Sequence, residues 1–410
     1  MKRLLPAVVL TFAASASCML DLKGMASTSS DNQAATTTGS GGGTTATASS
    51  GTTGAGGAGG AQSTSTATSS STGAGGPLFT WRRKLDLDSG VDTPLSNFSI
   101  LVLLEKGERI DYGHTQNKGE DLRFTDDQHQ VLEHEIERWD EGGTSVVWVR
   151  IPSLKPNASP LPAIWMYYGN AKANDGQDVN GVWSDGYQGV WHLGESGDDL
   201  SDSSGKTPIK ATNHNATQSA GLFGKGRSFD AGKLQYIDTN NFYPLGRFTI
   251  EVLARSDNAP VTDWGPNGPL MRENNYQIMW DHESPYAGSV SFNPLGPQDW
   301  TSTNLKPLAA NTWYYLAATF DGLTLRTFKD GVFQDSDIAA YPGSTMDSAK
   351  IGRHAYLTQD RNHFNGDIDE VRIADTNRSD EWFVAQNRSL RDTLVKFGPE
   401  ESSGGPWSVP

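Results

Sequence analysis

From Asn32 to Trp81 the chain carries no charged residue, and Gly, Ser, Thr and Ala supply almost every position. Such a stretch cannot bury enough apolar surface to offset its ordering entropy, so it predicts a coil and divides the chain. At about fifty residues its r.m.s. reach is roughly 40 Å. The remaining 330 or so residues are rich in aromatics and long enough for two domains with real cores. The chain holds 33 Lys and Arg against 48 Asp and Glu, a net charge of −15. That balance excludes the basic surface that nucleic acid requires. One cysteine among 410 residues excludes a disulfide framework and a Cys-based metal cluster.

Ahead of the tract, Lys2 and Arg3 form a basic start and residues 4–14 an apolar run too short to span a bilayer. This is a secretory signal. Cys18 follows Ser15-Ala16-Ser17, which resembles a bacterial lipobox with Ser15 where that pattern usually has Leu. The resemblance implies cleavage after residue 17 and a lipid on Cys18. Met19 behind it implies the outer membrane or cell surface. The competing reading is ordinary cleavage after Ala14-Ser15-Ala16 and a secreted product. Residues 18–78 are then a disordered linker.

Beyond the linker, short β-rich runs alternate with turn residues. Trp81 to Leu87, Phe98 to Leu104, Val146 to Ile151 and Ala163 to Tyr168 each read as strands, and no segment sustains a helical period. Residues 79–172 resemble the DUF2341 domain of bacterial surface and secreted proteins. The residues that carry the resemblance are Asp121-Leu122-Arg123-Phe124-Thr125-Asp126, Glu135-Ile136-Glu137-Arg138-Trp139, Val147-Trp148-Val149-Arg150-Ile151-Pro152 and Met166-Tyr167-Tyr168-Gly169-Asn170. That family's own function is not established. Glu133, Glu135 and Glu137 alternate and share one strand face. Clustered carboxylates can serve acid/base work or ligate Ca²⁺, but the preferred reading is an acidic solvent face backed by Leu132 and Ile136.

The second unit, residues 189–398, strings together further strands, with Asp330-Gly331 as a hairpin turn. It resembles the LamG-like jelly roll of the concanavalin A-like lectin/glucanase superfamily. The marks are Val190-Trp191-His192-Leu193, Arg227-Ser228-Phe229-Asp230, Phe248-Thr249-Ile250-Glu251, the run from Trp313 to Gly322, and Phe364-Asn365-Gly366-Asp367-Ile368-Asp369-Glu370-Val371-Arg372-Ile373. The resemblance implies a two-sheet sandwich that holds glycans or proteins, sometimes with Ca²⁺. Carried over, its calcium site would use Asp369 with Glu195 as partner. The competing reading has Asp369 and Glu370 capping turns or pairing with Arg372 and Arg353. Sugar rings stack on aromatic planes while their hydroxyls need planar polar partners. Residues 257–305 supply both, so Trp264, Arg272, Asn274, Tyr276 and Trp300 are the candidate ligand-binding residues. Trp280, Trp191 and Trp313 read as core.

These features predict an all-β protein, two tandem jelly-roll-type β-sandwiches after a disordered linker, with residues 399–410 a flexible tail. A hydrolase is the competing class, since Asp367 and Asp369 share a strand face, about 6.6 Å apart. No HExxH or G-x-S-x-G signature accompanies them. The expected function is non-catalytic carbohydrate binding with calcium as the implied cofactor. The expected partner is a glycan or a surface protein, with the membrane reached only through the lipid anchor.

Overall fold

A computed structural model describes residues 78–409 except 199, 208, 242–245, 263–264, 273–274, 283–286, 293–300, 340–346 and 355–358. The described residues lie in one compact unit. The chain there is almost wholly antiparallel β, as the alternating runs predict. In the first part, a five-stranded sheet runs in the order Val395–Ser408, Leu78–Leu87, Ala163–Tyr168, Arg123–Thr125, Val131–Leu132. It covers a three-stranded sheet of Leu95–Glu105, Thr144–Leu154 and His134–Arg138. In the second part, an eight-stranded sheet centred on Gly366–Ala374, Phe248–Ser256 and Tyr314–Phe320 faces a seven-stranded one. The hairpin at Asp330-Gly331 forms with φ of 49° and 78°, the positive values that a two-residue turn of this kind needs.

The two sandwiches are not beads on a string. Along Phe248–Ser256, Val252 and Ala254 point into the second core, whereas Leu253 between them joins the first. Tyr315, Ala317, Phe328 and Ala374 do the same, so the eight-stranded sheet is buried on both faces. Helix Asp380–Leu390 wedges into this layer, capped by the Ser379 side chain, which accepts from the Trp382 N–H, and with Asp380 and Glu381 in its first turn. Its Ser389 hydroxyl accepts from the Leu101 amide at 2.7 Å, and just beyond it Asp392 receives a two-pronged Arg109 contact at 2.9 and 2.7 Å.

The C-terminus corrects an expectation. Residues 399–410 are not a loose tail: strand Val395–Ser408 pairs with Leu78–Leu87 out to Leu78↔Ser408. Val409 packs with Phe79 and Tyr167, and the Arg82 guanidinium lies between the Trp165 and Trp407 rings at 4.1 and 4.5 Å. A Gly-, Ser- and Pro-rich sequence hides the end of this strand, because Val395 and Phe397 anchor its start while Trp407 and Val409 anchor the far end. It also means that the first sheet is closed by residues from the far end of the chain.

His134 sits fully buried in strand His134–Arg138, against the Phe124 ring. Burial, helped by the charge of Arg123, lowers its pKa from 6.5 to about 4. Between those values the unfolded chain binds a proton that the folded chain does not, so stability falls as pH falls. The expected loss is about 1.4 kcal/mol per pH unit and roughly 3 kcal/mol in all. Urea melts from pH 7 to 4 check this, and His134→Leu should flatten that slope.

Candidate functional site

Where the two sandwiches meet, the sequence places its carboxylates on strands that lose their alternation. Strand His134–Arg138 pairs with Thr144–Leu154 through Glu135↔Trp148 and Ile136↔Val147, but Arg138, not Glu137, faces Val146. Glu137 is therefore the extra residue of a β-bulge. Strand Gly366–Ala374 pairs Ile368 with Ala254 and Val371 with Val252, so the extra residue there falls within Asp369-Glu370. Ile368 and Val371 both enter the second core, which leaves Asp369 and Glu370 to face the first sandwich. Bulges re-aim side chains in this way.

The two bulges converge on His192, which follows strand Tyr187–Trp191. Its Nδ1 lies 2.7 Å from Glu370 Oε1 and 3.5 Å from Glu137 Oε2, and its Nε2 lies 3.2 Å from Glu135 Oε2. All four side chains are at least nine-tenths buried. Each carboxylate has an aimed donor. Glu135 accepts from the Trp183 indole at 2.5 Å and the Ser203 hydroxyl at 2.7 Å, and Glu137 from the Trp148 indole at 2.8 Å. Glu370 accepts from Arg372 at 3.0 and 3.2 Å. The Arg372 guanidinium lies 4.4 Å from the Trp148 ring centre and 4.9 Å from that of Trp183.

Charge and burial oppose each other here. Burial alone would depress the His192 pKa, but Glu370, Glu135 and Glu137 outweigh it and hold the imidazole well above its usual value. Burial would raise Glu135, yet His192 and the Trp183 and Ser203 donors pull it below the carboxylate norm. For Glu137 burial wins, with the charges of Glu370 and Glu135 adding to it, and its pKa rises to about 8. Asp369 is raised well above its usual value by burial and by Glu370 and Glu137. The site thus holds an imidazole and carboxylates of opposed acidity, which can hold a proton, a cation or a hydroxyl group.

A cavity of about 250 Å³ opens onto the cluster, with Glu135, Glu137 and His192 on one wall and Glu195, Ser201 and Lys225 on another. Gly194 gives it depth: a side chain there would come within 3.5 Å of Glu137 Oε1.

The predicted residues divide. Asp369 is fully buried, its Oδ2 accepts from the Leu222 and Phe223 amides, and its Oδ1 has no partner. Glu195 is half-buried at the cavity rim, its pKa raised by burial. Neither belongs, among the described residues, to a group of three or more His, Cys, Asp or Glu ligand atoms lying within 4.8 Å of one another. Among the described residues, the only group of three or more whose ligand atoms lie within 4.8 Å of one another is Glu137, His192 and Glu370. Asp369 instead caps a turn and Glu370 pairs with Arg372, as the competing reading has it, while Arg353 lies over the Tyr236 ring. Asp367, its strand-mate in the hydrolase reading, is held by Arg255.

Of the stacking candidates, Arg272 and Tyr276 are fully buried and offer no face to a ligand. Trp264, Asn274 and Trp300 lie outside the described residues, as does Cys18. Trp191 and Trp280 are core, and Trp313 packs at the edge of the first core.

The reading of Glu133, Glu135 and Glu137 as a solvent face is overturned. Only Glu133, paired with Arg150, keeps substantial exposure. The second sandwich covers the face that one strand's alternation assigns to water.

Replacing Trp183 by Phe keeps the ring and removes one donor from buried Glu135. The expected cost is about 1–3 kcal/mol, since a buried acceptor loses a partner that water cannot replace. Equilibrium denaturation checks it, and an unchanged midpoint would mean that the indole does not hold Glu135.

Comparison with known proteins agrees with the two-part reading. Residues 118–207 match the domain of unknown function DUF2341, and residues 230–382 match the concanavalin A-like lectin/glucanases superfamily. No curated protein matches the chain. Among solved structures, the chain is similar to domain 4 of AbnA, a GH43 extracellular arabinanase from Geobacillus stearothermophilus, in complex with arabinotriose. That match has 16% identity over 49% of this chain and 97% of that one, with a TM-score of 0.38. It is also similar to the binding domain of Paraclostridial Mosquitocidal Protein 1, at 13% identity, 52% and 53% coverage and a TM-score of 0.41. The binding domain of Botulinum Neurotoxin DC in complex with SialylT gives 12%, 52%, 52% and 0.38. The chain spans about half the length of these last two. It carries a DUF2341 segment followed by a concanavalin A-like lectin/glucanase segment.

Proposed function

We propose that the protein is a tethered, non-catalytic carbohydrate-binding protein that seats a sugar residue in the cavity between its two sandwiches. The observation that carries this reading is the cavity itself, lined by Glu195, Ser201, Ser203 and Lys225 in a lectin/glucanase-type chain. Those groups donate to and accept from hydroxyls. At about 250 Å³ it is smaller than the roughly 300–1,000 Å³ sites of drug-sized ligands, which suits one ring rather than a long chain. The engagement of Asp367 by Arg255 and the burial of Asp369 support a binder over a hydrolase. The lipid on Cys18 and the uncharged tract complete the reading as an anchor and a spacer. A protein partner is the second reading, favoured by exposed Val332, Phe333 and Ile338 on strand Val332–Ile338.

A glycan-array screen of the protein tests this, alongside a Ser201→Phe variant that fills the cavity from its exposed rim. Binding to at least one neutral glycan is expected, weakened at least about tenfold by Ser201→Phe with no change in unfolding midpoint. Absence of binding to any glycan would overturn the reading, and release of new reducing ends would replace it with a hydrolase. Cys18→Ser should move the protein from the membrane fraction to the soluble one.

A further inference from the structure

The histidine at the sandwich junction is arranged as a ligand. Its Nε2 faces Glu135, which is itself fixed by Trp183 and Ser203. A carboxylate that takes the Nε2 proton leaves the Nδ1 lone pair directed to the other side, the arrangement by which metal-bound histidines are oriented. On that side stand Glu370 Oε1 at 2.7 Å and Glu137 Oε2 at 3.5 Å. Donors bound to one ion at about 2.1 Å sit roughly 3–4 Å apart, and these three lie within 4.8 Å of one another. Each carboxylate is positioned by a β-bulge on a different sandwich.

A separate feature points the same way. Asp369, fully buried and turned by its bulge to the junction side, leaves Oδ1 without a hydrogen-bond partner. Its carboxyl lies against the Phe223 amide, and the Phe223 ring meets Trp148 at 5.9 Å, beside His192. Five carboxylates (Glu135, Glu137, Glu251, Asp369 and Glu370) share this interior with the Arg372 guanidinium and the His192 imidazole. The cavity, which Glu137 and His192 line, gives an ion a way in and leaves coordination positions for water.

We infer that Glu137, His192 and Glu370 bind one first-row divalent transition-metal ion, with Glu135 as the positioning residue that orients the histidine. One imidazole nitrogen with two carboxylates suits Zn²⁺ or Mn²⁺, whereas Ca²⁺ takes an all-oxygen shell. The inference goes beyond carbohydrate binding and stands without it. It also moves the metal away from the Glu195 and Asp369 pairing that the superfamily resemblance implies.

The test uses the full chain, stripped with EDTA and dialysed against Zn²⁺, Mn²⁺ or Ca²⁺, with bound metal counted by mass spectrometry. One Zn²⁺ or Mn²⁺ per chain is expected, and Ca²⁺ at least about a hundredfold weaker. Pulsed EPR of the Mn²⁺-loaded wild type should show coupling to one imidazole nitrogen, which needs no variant to fold. Glu137→Gln and Glu370→Gln should each weaken binding at least about tenfold. Glu135→Gln should weaken it about 10–100-fold yet keep the nitrogen coupling. No ion retained at one per chain, Ca²⁺ binding as tightly as Zn²⁺, or bound Mn²⁺ without nitrogen coupling would each overturn the assignment.

Discussion

The structure turns on a buried ionic chain that crosses from one sandwich to the other. It runs from Glu135 through His192 to Glu370 and Arg372, with Trp148 and Trp183 closing over the guanidinium. Trp148 and Glu135 come from Thr144–Leu154 and His134–Arg138, Glu370 and Arg372 from Gly366–Ala374, and His192 follows strand Tyr187–Trp191. Such a chain is a poor source of net stability, because desolvating the charges costs about as much as pairing them returns. Removing one member is another matter and costs about 3–5 kcal/mol, since a charge is then stranded. The chain therefore selects one docking register for the sandwiches. The apolar layer of Leu253, Tyr315, Ala317 and Phe383 supplies the affinity between them.

That division explains which parts of the fold the sequence made legible. Strands that read as apolar or aromatic runs, such as Phe98 to Leu104 and Trp313 to Phe320, are visible because most of their side chains enter a core. The Asp330-Gly331 turn is visible because positive φ restricts the residues that fit. The marks of the DUF2341 resemblance fall within residues 118–207, and those of the LamG-like resemblance from Phe248 to Ile373 within 230–382, whereas the run Val190 to Leu193 falls inside the DUF2341 match.

What stayed hidden depends on long-range contact. Alternation assigns Glu135 and Glu137 to water, because nothing local reveals a second sheet above them. It also puts Asp367 with Asp369 and sets Glu370 opposite, whereas the bulge adds Glu370 to the Asp369 face. A one-residue insertion in the register leaves no mark in composition or period. The strand Val395–Ser408 is hidden for a related reason: its partner lies more than three hundred residues earlier. Arg272 and Tyr276 are polar and aromatic neighbours in sequence, but both are buried away from any surface.

Two bulges facing each other across a domain junction are hard to account for by packing alone. An uninterrupted strand would place Glu370 on the face of Ile368, where it would meet the second core. It would be a bare charge in an apolar interior, costing several kcal/mol. Leucine at both positions would serve a merely structural interface better, since buried ion pairs are often matched or bettered by apolar side chains of similar volume. The chain instead breaks two ladders to bring carboxylates against one histidine and leaves a cavity beside it. Backbone irregularity of this kind is concentrated where side chains must be aimed at something other than a core. By that argument the junction, more than either sandwich face, is where the protein's chemistry resides.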